Sequence, residues 1–256
     1  MGACGWCFSG LIISVPVEQK NNKMELKDTS KPLFGADNNA LVALVSVNLM
    51  VAVTYGMTRM VYFLEGLPMS TFYDEVVHHF MLSPYYQEAV EKPWTFFIYN
   101  WSHDQFWTLC GNMVWLTVFG SILQNQQSNK HLFPIYFYSG IMGALAFIAV
   151  GAGVSFMGAE LSIMALATAA LSLNPTYAFK LNGTGAIPVW IIFAVYALVQ
   201  IATHLSGTPA FFLTWSVGGL VGVLYIYLLK KKIDLGAWMH LVVVKFNGFM
   251  APKTGQ

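Results

Sequence analysis

The feature that most restricts the fold of this chain is a short apolar stretch built largely from small residues. Residues 156–173 read FMGAELSIMALATAALSL, and Glu160 is the only charged residue among them. Small residues recur along it at three- and four-residue spacing: Gly158, Ser162, Ala165 and Ala169. One face of the predicted helix therefore lets neighbouring helices approach closely. An acid in an apolar segment normally faces the interior of a bundle, so we predict a central helix with one buried acid.

The composition indicates that the chain lies in a lipid bilayer. Hydrophobic residues account for 56% of the sequence and charged residues for 10%, whereas soluble domains carry about 25% charged residues. The net charge of +1 does not predict a nucleic-acid partner, because such partners are bound by clusters of basic residues. We therefore predict an integral membrane protein that has the bilayer as a partner and binds no nucleic acid.

Apolar runs recur six times along the chain and predict its fold class. A membrane-spanning helix requires about 20 mostly apolar residues. The runs cover residues 40–64, 106–123, 133–154, 156–173, 187–204 and 211–229. We predict an all-α membrane protein with six transmembrane helices in residues 40–230. Residues 1–39 are a polar N-terminal segment, and residues 231–256 are a basic tail expected at the membrane interface.

The basic residues predict how the spans are oriented. Lysines lie in the N-terminal segment, at Lys130, at Lys180 and at positions 230–232, which all fall on one side of six alternating spans. The long acidic connection, residues 65–92, falls on the other side. Because basic connections stay in the cytoplasm, we expect a multi-pass protein of the cell membrane with both termini cytoplasmic and the acidic connection external.

The second predicted span carries an ordered series of aromatic and polar residues. Trp94 follows a proline, His103 comes nine residues later, and Thr108 and Asn112 follow at five- and four-residue steps before a Phe-Gly pair that ends at Gly120. This series resembles the second span of the rhomboid intramembrane serine proteases. That span has a Pro-Trp pair, a His, a second His five residues later, an Asn four residues further on and a final Phe-Gly.

Two further segments resemble rhomboid motifs at the expected places. The fourth span has Gly158-Ala-Glu160 where the family has Gly-x-Ser-Gly, and the sixth has Ser216-Val-Gly-Gly where the family has His-x-Gly-Gly. The Gly218-x-x-x-Gly222 pair also permits close helix packing. The resemblance implies a six-transmembrane-helix rhomboid-like bundle. The tail LLKKKIDLGAW is similar to rhomboid-like proteins of the Bacteroidota, which implies a bacterial inner membrane.

The departures from the family pattern concern its catalytic residues. Rhomboid proteolysis uses a serine activated by a histidine of the sixth span, with Asn and a second-span His at the oxyanion. In this sequence Glu160 stands at the nucleophile position, Ser216 at the base, and Asn112 and Thr108 at the oxyanion positions. A carboxylate cannot form the usual acyl-enzyme, and a serine cannot accept the proton. No catalytic residue pair is intact, so the sequence resembles an inactive pseudoprotease.

The resemblance implies a role in binding rather than cleavage. An inactive rhomboid is expected to bind the transmembrane segment of a client protein through the gate between the second and fifth spans. The candidate binding residues are His103, Trp94, Asn112, Glu160 and Ser216. We predict that the second, fourth and sixth spans bring Asn112, Glu160 and Ser216 to one cavity.

The presence of the same polar residues is also explained by structural roles that need no ligand. Asn112 and Thr108 lie one turn apart and are able to join helices by hydrogen bonds. Glu160 is expected to be a neutral anchor bonded to Asn112, Thr108 or Ser216, because no cation in its span offsets a charge.

Two other functions remain open on the sequence alone. The first is an active rhomboid-type serine endopeptidase with relocated catalytic residues, for which Ser155 and Ser162 are the nearby hydroxyls. The second is a transporter or ion-binding protein that uses Glu160. Neither a metal nor a cofactor is predicted, because His78 and His79 are adjacent and point apart on a helix, and no further cluster completes a metal site.

Overall fold

The computed structural model describes residues 39–151, 153–181, 185–204 and 209–241. The predictions for the polar N-terminal segment and for the last part of the tail concern residues outside these ranges. The helices are α1 (Asn39–Leu64), α2 (Met69–Glu75), α3 (Tyr86–Glu91), α4 (Thr95–Ile98), α5 (Phe106–Gln126), α6 (Leu132–Val150), α7 (Glu160–Leu173), α8 (Val189–His204) and α9 (Pro209–Lys230). Single 3₁₀ turns occur at Val77–His79, Tyr99–Trp101 and Asn129–His131.

All six apolar runs form helices, and the all-α membrane bundle is confirmed. In the described ranges four helices are long and apolar enough to cross a membrane, namely α1, α5, α6 with the 3₁₀ turn before it, and α9. The apolar helices α7 and α8 have 14 and 16 residues. At 1.5 Å per residue they extend roughly 21 and 24 Å, less than the hydrocarbon thickness of about 30 Å.

The small-residue helix α7 lies at the centre of the bundle, as its sequence predicts. Every residue from Glu160 to Ala170 is buried, and α5, α6, α8 and α9 all contact this helix. In contrast, α1 exposes apolar side chains such as Val42 and Met57. Apolar surface on an outer helix is expected where lipid takes the place of water.

Two glycines of α9 allow its backbone to touch α7. A Cβ atom at Gly218 would collide with the carbonyl group of Leu161, and one at Gly222 would collide with that of Ala165. The two glycines are four residues apart and therefore lie on the same face. Their lack of side chains explains why α9 packs more extensively on α7 than any other helix does.

The helix that begins at Glu160 was predicted to begin at Phe156, and this boundary is wrong. Phe156 exchanges two backbone hydrogen bonds with Leu82, at 2.8 and 2.9 Å, and the N–H of Gly158 donates to the carbonyl of Tyr99 at 3.0 Å. Residues 156–159 therefore precede the helix. Phe156 is apolar because its ring packs against Tyr99, Phe147 and Phe211, so apolarity alone extended the predicted helix too far.

The connection between α1 and α5 is folded. Phe72 and Val77 are buried in a small core against Tyr55 of α1. The rings of Tyr55 and Phe72 meet edge to face with centroids 5.4 Å apart. Tyr62 of α1 also donates to the carboxylate of Glu75 at 2.7 Å. These contacts hold the connection against the end of α1.

A β-hairpin joins α7 to α8 and was not predicted. Its strands are β1 (Ala178–Leu181) and β2 (Gly185–Pro188), which pair antiparallel with Ala178 opposite Pro188. Each strand has only four residues, too few for an alternating pattern to be recognised in the sequence.

The described part of the tail packs on the bundle. Trp238 donates through its indole nitrogen to the hydroxyl of Tyr138 in α6, and that hydroxyl donates to the carbonyl of Leu235 at 2.9 Å. Asp234 lies 3.8 Å from the Lys130 ammonium group. These contacts join the tail to α6 and to the turn that precedes it.

Candidate functional site

Glu160 begins α7 and is the acid around which the candidate site is built. Only 3% of its surface is exposed. Its Oε1 accepts a hydrogen bond from Nδ2 of Asn112 in α5 at 2.9 Å. Its Oε2 has no hydrogen-bond partner among the described residues. One carboxyl oxygen therefore joins two helices, and the other is buried without a partner.

Gly158 makes room for the Glu160 carboxyl group. Its φ angle is +142°, a conformation that side-chain-bearing residues rarely adopt. A Cβ atom at this position would collide with Oε2 of Glu160. The glycine is thus required twice, by the backbone conformation and by the close approach of the carboxyl group.

A cavity of about 480 Å³ lies between α5 and α8, and Glu160 is part of its wall. Six of the lining residues belong to α5 or directly precede it, four belong to α8, and Glu160 completes the set. Its polar lining residues besides Glu160 are Gln105, Thr108, Asn112, Gln200, Thr203 and His204. The structure therefore brings Asn112, Thr108 and Glu160 together, as predicted.

Tyr196 connects α8 to the start of α7. It is fully buried, and its hydroxyl donates to the backbone carbonyl of Glu160 at 3.4 Å. The same hydroxyl accepts a hydrogen bond from Nε2 of Gln200 at 3.2 Å. These contacts hold the α8 wall of the cavity against the helix that carries the acid.

His204 ends α8 and lies at the same cavity. Its ring stacks on that of Phe211 with centroids 3.8 Å apart. Its Nδ1 lies 3.1 Å from the carbonyl oxygen of Gln200. Because a carbonyl oxygen only accepts, we assign the proton of the neutral ring to Nδ1, which leaves Nε2 as an acceptor.

Ser216 does not belong to the cavity, and the prediction that placed it there is wrong. Its side chain is exposed, and its hydroxyl donates to the carbonyl of Phe212 in its own helix at 2.7 Å. Trp215 is buried instead and lies against Tyr196 with ring centroids 6.1 Å apart. Trp215 shares the α7-facing side of α9 with Gly218, one turn further along.

Trp94 and His103, the two other predicted binding residues, lie outside the cavity lining. Trp94 is 44% exposed, and its indole donates to the carbonyl of His79 at 3.0 Å. His103 is buried in the loop before α5, and neither ring nitrogen has a partner among the described residues. Burial lowers the pKa of His103 to about 4, so this imidazole is neutral at physiological pH.

Ser162, one of the two alternative nucleophiles, is part of a buried network. It is fully buried, lies 2.8 Å from the carbonyl oxygen of Tyr136 and 3.0 Å from Oδ1 of Asn100, and accepts from Ser139 at 3.1 Å. None of these groups lines the cavity. Ser162 therefore joins α6, α7 and the turn before α5.

Among the described residues no group of three or more His, Cys, Asp or Glu side chains is arranged to hold a metal ion. His78, the first residue of the adjacent histidine pair, lies 2.9 Å from the Lys92 ammonium and 3.8 Å from Glu88. The absence of a metal and of a cofactor stays a prediction.

The contribution of α8 to the cavity wall was not predicted from the sequence. Gln200, Thr203 and His204 line the cavity and are spaced at i, i+3 and i+4 in an otherwise apolar helix. This spacing places them on one face. The polar face on this apolar helix was therefore the sequence signal that could have indicated the second wall of the cavity.

The fold and the cavity can be compared with known proteins. Residues 90–232, more than half of the chain, match the Rhomboid domain. The matched region contains α5 to α9 and hence every residue that lines the cavity. A comparison with curated proteins gives no match. With helices α5 to α9 inside the matched domain, this chain belongs to the rhomboid family.

Proposed function

We propose that this rhomboid-family protein is catalytically inactive and binds the transmembrane segment of a client protein between α5 and α8. The observation that carries the proposal is the cavity. Ten of its eleven lining residues come from these two helices and the residue before α5, and the eleventh is Glu160. A client helix that enters between α5 and α8 would meet the acid directly. The resemblance to rhomboids implies the same route of access.

The side chains around the cavity support the absence of proteolysis. The first residue of α7 carries a carboxyl group whose Oε1 accepts the hydrogen bond that Asn112 would otherwise offer to an oxyanion. On the facing side of α9, Trp215 is an indole and has no lone pair with which to accept a proton. Glu160 and Trp215 together leave these two positions without the serine nucleophile and the histidine base of rhomboid proteolysis.

We also propose six spans, with both termini cytoplasmic, in the bacterial inner membrane of a Bacteroidota-type organism. The positive-inside pattern supports the orientation. The short helices α7 and α8 count as spans in this proposal because α7 is surrounded by protein, where a helix need not cross the full hydrocarbon thickness.

An active protease is the first alternative, and one contact favours it. Thr203 Oγ1 lies 3.0 Å from Nδ1 of His204 at the cavity. The Thr203 hydroxyl is also 3.0 Å from the carbonyl oxygen of Val199, and Nδ1 of His204 is close to the Gln200 carbonyl. Both groups therefore donate to backbone carbonyls. In this arrangement Nδ1 already carries a proton and does not serve as the base for Thr203.

Ion binding or transport is the second alternative and is favoured by the unpartnered Oε2 of Glu160. A cation site usually gathers several oxygen ligands. Among the described residues Glu160 is the only carboxylate that lines the cavity, which favours the binding of a client segment.

Site-specific photo-cross-linking tests the proposed function. A photoreactive amino acid at Thr203, in the cavity, should cross-link a labelled single-span peptide in lipid nanodiscs. The same group at Leu220, which is exposed on α9 and does not line the cavity, is the matched control. Preferential cross-linking at position 203 supports the proposal. Equal cross-linking at both positions would show that the peptide only shares the bilayer, and the proposal would be wrong.

A further inference from the structure

The hydrogen-bonding groups in the cavity wall indicate which kind of client side chain the cavity would bind. Glu160 is 3% exposed, and its Oε2 is buried without a partner among the described residues. The Nδ2 of Asn112 already donates to Oε1. The acid therefore has one oxygen whose hydrogen bond is not made within the described part of the chain, and such a group is costly in an apolar medium.

The α8 wall adds further acceptors. Gln200 donates one hydrogen of its amide nitrogen to Tyr196, and its Oε1, which lies 3.5 Å from the Thr203 hydroxyl, has a second lone pair with which to accept. His204 directs Nδ1 to the Gln200 carbonyl, so its neutral ring has Nε2 as an acceptor. The Thr203 hydroxyl is within hydrogen-bond distance of the carbonyl of Val199.

The cavity lining also lacks a positive charge of its own. No lysine or arginine is among the residues that line it in the described ranges. An acid, an amide oxygen and an imidazole nitrogen thus surround a space without a cationic partner. This chemistry is complementary to a basic side chain, which has donors but no acceptor.

We infer that the cavity selects clients whose transmembrane segment carries a lysine or arginine, with the basic group bound by Glu160. This inference rests on the proposed function and names the client class for the same site. A basic residue in a membrane segment is itself unfavourable unless an acid pairs with it. Binding would therefore satisfy two buried groups at once, the client's cation and Oε2 of Glu160.

The position of Glu160 also predicts the depth of the basic residue in the client. Its partner Asn112 is six residues after Phe106, the first residue of α5. Six residues correspond to roughly 9 Å along a helix. With Phe106 taken as the edge of a hydrocarbon core of about 30 Å, a client lysine about one third of the way in, counted from the side where α5 begins, would lie level with Glu160.

The test measures peptide affinity for the full chain in nanodiscs. Three labelled single-span peptides are compared: one with lysine one third of the way into its apolar stretch, one with norleucine at that position, and one with lysine moved to the opposite third. We expect the first to bind roughly tenfold or more tightly than the other two, as expected for a charge-assisted hydrogen bond. In Glu160→Gln the preference should disappear, whereas Ser216→Ala should retain it.

The outcomes separate the inference from the proposed function. If the peptides bind alike to the native chain, lysine selection is wrong and client binding stands. If none of them binds in the cavity, the proposed function itself fails. A lysine preference that persists in Glu160→Gln would overturn the role of the carboxylate. Should Glu160→Gln not fold, the two lysine peptides still test the role of Glu160 on the native chain, because equal binding of lysine at both depths would contradict it.

Discussion

Nδ2 of Asn112 lies 2.9 Å from Oε1 of Glu160, and this hydrogen bond joins α5 to α7 inside the bundle. The same carboxyl group lies at the wall of the cavity between α5 and α8. Glu160 therefore joins helices through Oε1, and we propose that it binds a client through Oε2; experiments are able to separate these two roles. The first role concerns the stability of the fold, and the second concerns the ligand.

Substitution of Glu160 tests its role in joining the helices. Glu160→Gln keeps an oxygen that accepts from Asn112 and should lower stability only slightly. Glu160→Ala leaves the buried Asn112 amide unpaired and should cost about 1–3 kcal/mol. Thermal unfolding in detergent at neutral pH measures both. A Gln variant as unstable as the Ala variant would mean that the charge is needed, which favours the ion-binding alternative.

Gly158→Ala should destabilise the protein through both backbone strain and collision with Glu160. A side chain at φ +142° is strained, at a cost of about 1–3 kcal/mol. The collision, but not the strain, disappears in the double variant with Glu160→Ala. A double-mutant cycle should therefore show a coupling of at least about 0.5 kcal/mol. Purely additive effects would show that the two residues do not interfere.

The contact between α7 and α9 is tested by a pair of glycine variants. Gly222→Ala forces a methyl group against the Ala165 carbonyl and should cost about 1–3 kcal/mol. Gly56→Ala in α1 is the matched control, because no atom lies within 4 Å of its added Cβ. Alanine is the better helix former, so the control should gain up to about 1 kcal/mol. Equal effects on the unfolding temperature would contradict the packing described for α9.

Substitutions at Ser216, which is exposed, and at Trp215, which is buried, test which face of α9 meets α7. Ser216→Ala should change stability by less than about 0.5 kcal/mol, as is usual for surface positions. Trp215→Ala should cost about 3–5 kcal/mol, because it leaves a cavity beside Tyr196. Chemical unfolding of both variants measures these two changes in the free energy of unfolding. A large effect at 216 with a small one at 215 would reverse the assignment of the two faces of α9.

The helices were predictable because a membrane span must be long and apolar, and this property is directly visible in the sequence. The burial of α7 was predictable for a related reason, since small residues on a helix imply close neighbours. The pairing of Asn112 with Glu160 followed from the resemblance to rhomboid motifs, which placed both residues at one site.

The prediction for Ser216 was wrong because a shift of one residue along a helix changes the face on which a side chain lies. Neighbouring positions on a helix differ by roughly 100°, so aligning Ser216 instead of Trp215 moved the predicted site residue from the α7-facing side to the exposed side. The start of α7 was missed because Phe156 is apolar through the contacts of its ring with Tyr99, Phe147 and Phe211, and not through a place in the helix. A sequence pattern records that a residue is buried and does not record what buries it.

The most direct test of binding without cleavage measures whether a single-span peptide stays intact during incubation with the purified native chain. Mass spectrometry of the nanodisc-bound and released fractions measures how much peptide stays intact. We expect a peptide with a lysine at the depth of Glu160 to be retained intact. The amount of peptide fragment should not exceed the amount found when the peptide is incubated alone. A fragment that is lost in Thr203→Val or Ser162→Ala would reveal a relocated nucleophile and contradict the claim that this rhomboid binds without cleaving.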